Sequence, residues 1–115
     1  MPRRIEQVNE MLRAEIALAI ARELDFSDAL LTVTRVDCAR ELDEAKVWVS
    51  VLPDNRAGSA MQALRRGQGL IRQAIGKKIS WRRLPRFVFI FDDTEKHAAV
   101  VDNIFKEINQ EETNG

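Results

Sequence analysis

Catalysis on this chain would have to start from very few side chains. His97 is its only histidine and Cys38 its only cysteine. Histidine is the usual proton-transfer group near neutral pH, and an activated thiolate is a common nucleophile. His97, however, stands among charged neighbours at the start of a predicted last helix, the setting of a solvated surface residue. Cys38 closes a predicted strand, with no sequence sign of a histidine or lysine to lower its pKa, and reads as a packed residue. One cysteine and one histidine do not make the four ligands of a structural zinc site. Asp92-Asp93 could hold Mg²⁺ in a phosphoryl-transfer enzyme, but no phosphate-binding loop accompanies them, and helix capping is the better reading. The residues therefore predict no catalytic activity, no cofactor, no metal and no small-molecule substrate.

Binding chemistry is better represented. Residues 65–86 carry eight basic side chains (Arg65, Arg66, Arg72, Lys77, Lys78, Arg82, Arg83, Arg86) and no acidic one, although the net charge of the chain is +0. The acids lie elsewhere: residues 25–54 hold seven against three bases, and residues 92–115 hold seven against two. A solvated helix face is the ordinary explanation for lysines and arginines, but it does not explain such one-sidedness. A surface of this kind attracts polyanions whatever the pI.

Inside that segment lies 64-LRRGQGLIRQAIGKKI-79, whose apolar residues recur every three to four positions around two glycines, Gly67 and Gly69. Glycine in a helix interior costs roughly 0.8–1 kcal/mol relative to alanine, so the pair needs a reason. As a phosphate cradle GQG lacks the preceding strand and the Lys-Ser/Thr of a P-loop. As a bend it makes sense, because glycine permits positive φ and lets one helix end and another begin at a new angle. The new helix start would expose N–H groups beside Arg65, Arg66 and Arg72, a corner suited to phosphate. A kink needed only for packing is the other reading. Trp81 could stack a base or pack against Phe87 and Phe89. Trp48 points to the opposite sheet face from those phenylalanines, as a covered or a contact residue.

The elements that must position this corner are legible from period and punctuation. Residues 4–24 form an amphipathic helix on Ile5, Val8, Met11, Leu12, Ile16, Ala19, Ile20 and Leu24, ended by 25-DFSD-28. Two strands follow, 31-LTVTRVDC-38 and 45-AKVWVSVL-52, joined by 39-ARELDE-44, which lacks an Asn-Gly turn. Ser59 and Gln62 have capping-box spacing for a short helix, and a second helix runs from the glycines to about Trp81, broken by Leu84-Pro85. Then 86-RFVFIFD-92 is a strand with Phe87, Phe89 and Phe91 on one face, and a last helix carries Val101, Ile104, Phe105 and Ile108. The order is α-β-β-α-α-β plus a C-terminal helix, one α+β domain over residues 1–109 with a disordered polar tail at 110–115. No apolar run approaches 18 residues, no signal-peptide core follows the N-terminus and a single cysteine cannot make an internal disulfide, so a soluble cytoplasmic protein is expected. It is expected as a monomer, with self-association of the acidic remainder and the basic segment as a further possibility.

Glu15-Ile16, RELDEAKVWVSVL (40–52), GLIRQAIGKKI (69–79) and RRLPRFVFIFDDT (82–94), in this order and spacing, resemble the ribosome-binding factor A family over roughly residues 4–108. The resemblance implies a type II K-homology-like fold with a kinked helix pair and a three-stranded sheet. It implies an Ala-X-Gly interhelical kink in place of the usual GXXG loop, aligned here with Gly67-Gln68-Gly69, a glycine standing where the family has alanine. The string Ile75-Gly76-Lys77-Lys78 imitates a K-homology signature, but Ile79 replaces its second glycine, so Gly76 is expected to be a helix position in close contact with a neighbour. In function it implies a non-enzymatic factor that binds the free small (30S) ribosomal subunit and assists late folding and 5′-end processing of 16S ribosomal RNA, often linked to cold growth. The expected RNA-binding residues are Arg65, Arg66, Arg72, Lys77, Lys78, Arg82, Arg83 and Arg86, with Arg4, which matches a basic residue near the family's N-terminus. The rival reading is an adaptor whose basic face binds an acidic protein.

Overall fold

The computed structural model describes residues 2–81 and 83–93. The first helix, α1, spans Pro2–Glu23. Leu12, Ile16, Ala19 and Ile20 lie one helical turn apart and are all buried, so the apolar stripe read from the sequence is the face that meets the core. The last helical bond, Leu24 N–H to Ile20 C=O at 3.1 Å, leads into the polar 25–28 segment.

Strands β1, Leu30–Cys38, and β2, Glu44–Leu52, pair antiparallel. The inward residues of β1 are Leu31, Val33, Val36 and Cys38, and the step of three between Val33 and Val36 is accommodated by a register shift between Val33 and Arg35. Without that extra residue the period of two would turn Val36 and Cys38 out to solvent. The turn between the strands is closed by Leu42 N–H on Ala39 C=O at 2.9 Å, with Leu42 at φ 59°. This left-handed backbone normally falls to glycine or asparagine and strains a leucine by about 1 kcal/mol or more.

From β2 the chain passes through a 3₁₀ turn, Asp54–Arg56, into α2, Ala57–Arg66, and α3, Gln68–Lys78. It returns to the sheet as β3, Arg86–Phe91, parallel to β2, giving the strand order β1-β2-β3. The sheet is therefore mixed, with β2 in the centre. The α-β-β-α-α-β order is the one the sequence predicts. All the inward residues of β2, namely Ala45, Val47, Val49 and Val51, are buried, as are Phe87 and Phe89 of β3 and Met61, Leu64, Ile71 and Ile75 of the helix pair. The Phe87 and Phe89 rings meet edge-on with centroids 6.4 Å apart. Each such side chain contributes roughly 1.5–3 kcal/mol by leaving water, so this one layer of contacts between helices and sheet is what holds the fold.

Three local expectations are corrected. The second helix ends at Lys78, not Trp81, because Ile79 turns to extended backbone (φ −111°, ψ 124°) while its N–H still bonds Ile75 C=O. Ile79 and Trp81 then pack at the core edge while the chain travels back toward β3. The capping box does not form: Ser59 Oγ donates to the Arg56 carbonyl, because the preceding 3₁₀ turn feeds straight into α2. Of the adjacent pair Leu70-Ile71 in the apolar repeat of residues 64–79, only Ile71 reaches the core; Leu70 is 50% exposed. Trp48 does lie on the sheet face away from the helices, opposite Ile90, with the Arg35 guanidinium 4.7 Å from its ring. Arg82, His97, the C-terminal helix and the 110–115 tail lie outside the described residues.

Candidate nucleic-acid interface

The junction between α2 and α3 is Gly67 alone, at φ −84° and ψ 2°. No described glycine has a positive φ, so the bend does not use the left-handed backbone expected of it. What Gly67 supplies is space. A β-carbon there would stand 2.7 Å from Leu24 Cδ2 at the end of α1 and 3.1 Å from the Ala63 carbonyl oxygen. Gly69 has nothing within 4 Å of such a carbon, so it is not what shapes the corner. Gly76 is also less crowded than expected, since its β-carbon would make ordinary contact with Leu84 at 3.7 Å. The middle residue is the active one structurally: Gln68 Oε1 accepts the Phe87 N–H at 2.8 Å and ties the corner to the start of β3.

Several of the expected basic residues converge there. Arg65 and Arg66 are exposed on the last turn of α2, with Arg66 donating to Gln62 Oε1 at 3.4 Å. Arg86 is exposed on the first residue of β3, next to Phe87, and pairs with Glu44 at 3.0 Å. The first turn of α3 begins between them, and the leading N–H groups of any helix lack carbonyl partners within it. Exposed arginines on the last turn of α2 and at the head of β3 thus flank the start of α3, whose end of the helix dipole is positive. Arg83 is exposed on the connection that precedes β3.

Arg72 has a different part. It is half-buried and donates through Nη2 to the Leu84 carbonyl oxygen at 3.0 Å, while its Nε is buried without a hydrogen-bond partner. It pins the return segment onto α3 and does not point into the corner beside Arg65 and Arg66. Lys77 and Lys78 are exposed at the far end of α3, which at about 1.5 Å per residue is about 15 Å from the junction. Lys78 pairs with Glu15 at 3.5 Å, and the groove between α1 and α3 beside it carries Leu18, 45% exposed, and Leu70. Arg4 is exposed some 20 residues before Leu24 on α1, roughly 30 Å along the helix axis from the corner. The expected set thus forms a cluster at the junction, a second group at the end of α3 and an outlier on α1.

The electrostatics suit a binding surface and not a reactive one. The Arg86 ion pair is solvent-exposed, where such pairs contribute about 0–1 kcal/mol, so a phosphate can replace the carboxylate at small cost; Lys78 is exposed but its partner Glu15 is half-buried. Cys38 is buried, and its thiol pKa is pushed up, first by burial and then by Asp37 and Asp43, the opposite of an activated nucleophile. Among the described residues no three His, Cys, Asp or Glu side chains converge to hold a metal ion, and no helix is long and apolar enough to cross a membrane.

A family model described as ribosome-binding factor A matches residues 4–105. The ribosome-binding factor A of Akkermansia muciniphila is 33% identical over 110 residues, 96% of this chain and 88% of that protein. The crystal structure of ribosome-binding factor A from Thermus thermophilus superposes with a TM-score of 0.58 at 28% identity, over 71% of this chain and 92% of that one. A homology model of the Thermus thermophilus factor, fitted into the cryo-EM map of its complex with the 30S subunit, superposes equally well, with a TM-score of 0.58 at 28% identity over 72% and 93%.

Proposed function

The chain belongs to the ribosome-binding factor A family, and on that premise we propose that it is a non-enzymatic, cytoplasmic maturation factor that binds the free 30S subunit and assists late 16S ribosomal RNA folding and 5′-end processing. The observation that carries the site is the junction at Gly67, where Arg65, Arg66 and Arg86 flank the start of α3 and Gln68 locks that corner to β3. RNA phosphates meet this corner. Lys77, Lys78 and Arg83 extend the contact along the same helix and its return segment, and Arg82 and Arg4 complete the expected set. Arg72 serves the surface by holding Leu84 in place. The element order and mixed three-stranded sheet support a type II K-homology-like domain over residues 1–109, with the Gly67 junction standing where the GXXG loop lies in that fold. The spacing of Val101, Ile104, Phe105 and Ile108 supports a last helix after β3.

Co-sedimentation tests the reading. The protein should travel with purified 30S subunits and much less with 70S ribosomes, at moderate as well as low salt. Equal binding to both would reduce it to a non-specific polyanion binder. Absence from both, with capture of an acidic protein that survives RNase, would favour the adaptor.

A further inference from the structure

Just past the end of α3, the tip of the β1–β2 hairpin faces the segment between α3 and β3 across an open cleft of about 430 Å³, lined by Glu41, Leu42, Asp43, Ser80, Trp81 and Arg83. We infer that this cleft receives one unstacked nucleobase bearing an exocyclic amino group, cytosine, adenine or guanine, from the RNA whose phosphates lie on the basic surface. The inference rests on the RNA-binding reading above and adds base recognition to it.

The chemistry of the walls is that of a base site. Trp81 is half-buried: it packs against the core and also lines the cleft, so it is anchored while part of its surface stays open. Protein sites that read single-stranded RNA stack splayed bases on such rings. Glu41 and Asp43 are exposed, form no ion pair among the described residues, and as carboxylates can only accept hydrogen bonds. They match the amino groups of cytosine and adenine, or the N1–H and amino group of guanine, and they repel phosphate. Uracil has no amino group to give them: its one donor, N3–H, lies between two carbonyl acceptors, O2 and O4, which the carboxylates repel. Arg83, also without an ion pair among the described residues, stands ready for the flanking phosphate.

Two further observations join this cleft to the basic surface. Its walls are tied to residues of that surface, because Asp43 C=O accepts the Arg86 N–H at 2.9 Å and Leu84, next to Arg83, is pinned by Arg72. And Leu42 holds a left-handed backbone at φ 59° and is exposed. A large apolar residue kept where glycine fits better, and facing solvent, makes sense as an edge for a bound ring.

The chain has two tryptophans, so a Trp48→Phe variant makes Trp81 its only indole reporter. Short oligocytidylate should quench that emission and bind roughly tenfold more tightly than oligouridylate, while base-free polyphosphate binds without quenching. In Trp81→Leu, and independently in the surface pair Glu41→Gln/Asp43→Asn, the preference for cytosine over uracil should vanish while polyphosphate affinity stays and the thermal transition remains cooperative. Unchanged Trp81 emission at saturating oligocytidylate, or equal affinity for the two oligonucleotides, would overturn the base site even if 30S binding stands. Loss of 30S and polyphosphate binding in the unmutated protein would instead remove the RNA-binding reading on which it rests.

Discussion

The Arg72 guanidinium donates to the Leu84 carbonyl oxygen, 3.0 Å away, across the gap between α3 and the segment that leads into β3. A residue counted from sequence among phosphate contacts is thus a strut beneath the surface. The Leu84 carbonyl belongs to a stretch without helix or strand partners, so the arginine supplies what regular structure does not. Arg72→Ala should lower stability by about 1–3 kcal/mol, since it removes a charged hydrogen bond and leaves a carbonyl without its partner. Urea unfolding checks this; an unchanged midpoint would return Arg72 to the free basic set.

Exposed Arg65 and Arg66 should behave in the opposite way. Replacing both by alanine leaves the unfolding transition within about 0.5 kcal/mol, as for other surface substitutions. If each neutralises one phosphate of single-stranded RNA, the log–log salt dependence of binding falls by roughly 1.4 in slope. Titration of 30S or RNA binding against salt reads it directly.

The two junction glycines separate space from flexibility. Gly69→Ala meets nothing within 4 Å and sits in the first turn of α3, so it should stabilise the fold by about 0.4–1 kcal/mol by restricting the unfolded chain. Gly67→Ala drives a carbon to 2.7 Å from Leu24 Cδ2 and should destabilise it unless that side chain rotates away. Comparing the two variants, and Gly67→Ala in a Leu24→Ala background, isolates the steric coupling.

At the hairpin tip, Leu42→Gly should raise stability by about 1 kcal/mol, because glycine adopts φ 59° without the clash of a β-carbon. A drop in stability would mean that the leucine's packing at the tip outweighs its backbone strain.

Cys38 offers a pH test. Its thiol pKa is raised in the folded protein, mainly by burial, so the folded state keeps the proton to higher pH than the unfolded chain. Stability from this source is complete below the ordinary thiol pKa of about 8.5 and is lost as pH rises through the higher folded value. Alkylation at pH 8 should be slow in buffer and fast in denaturant. Rapid native-state alkylation would show that the strand end opens.

The sequence alone determined the element order and which side of each element is apolar, because both follow from local periodicity: Leu12, Ile16 and Ile20 along α1, Val47, Val49 and Val51 along β2, Phe87 and Phe89 along β3. It also determined where the positive charge concentrates, since charge is a property of composition. Tertiary structure alone decided which of those charges are available. Arg72 and Leu84, or Gln68 and Phe87, are distant in sequence, and nothing in a local pattern distinguishes an arginine that will find a carbonyl from one that will face water. The same holds for Gly67: a glycine signals a special position, but whether it grants backbone freedom or room for Leu24 depends on where α1 ends in space. Long-range packing chose between these outcomes, because burial and hydrogen-bond satisfaction are properties of the assembled surface and not of the chain.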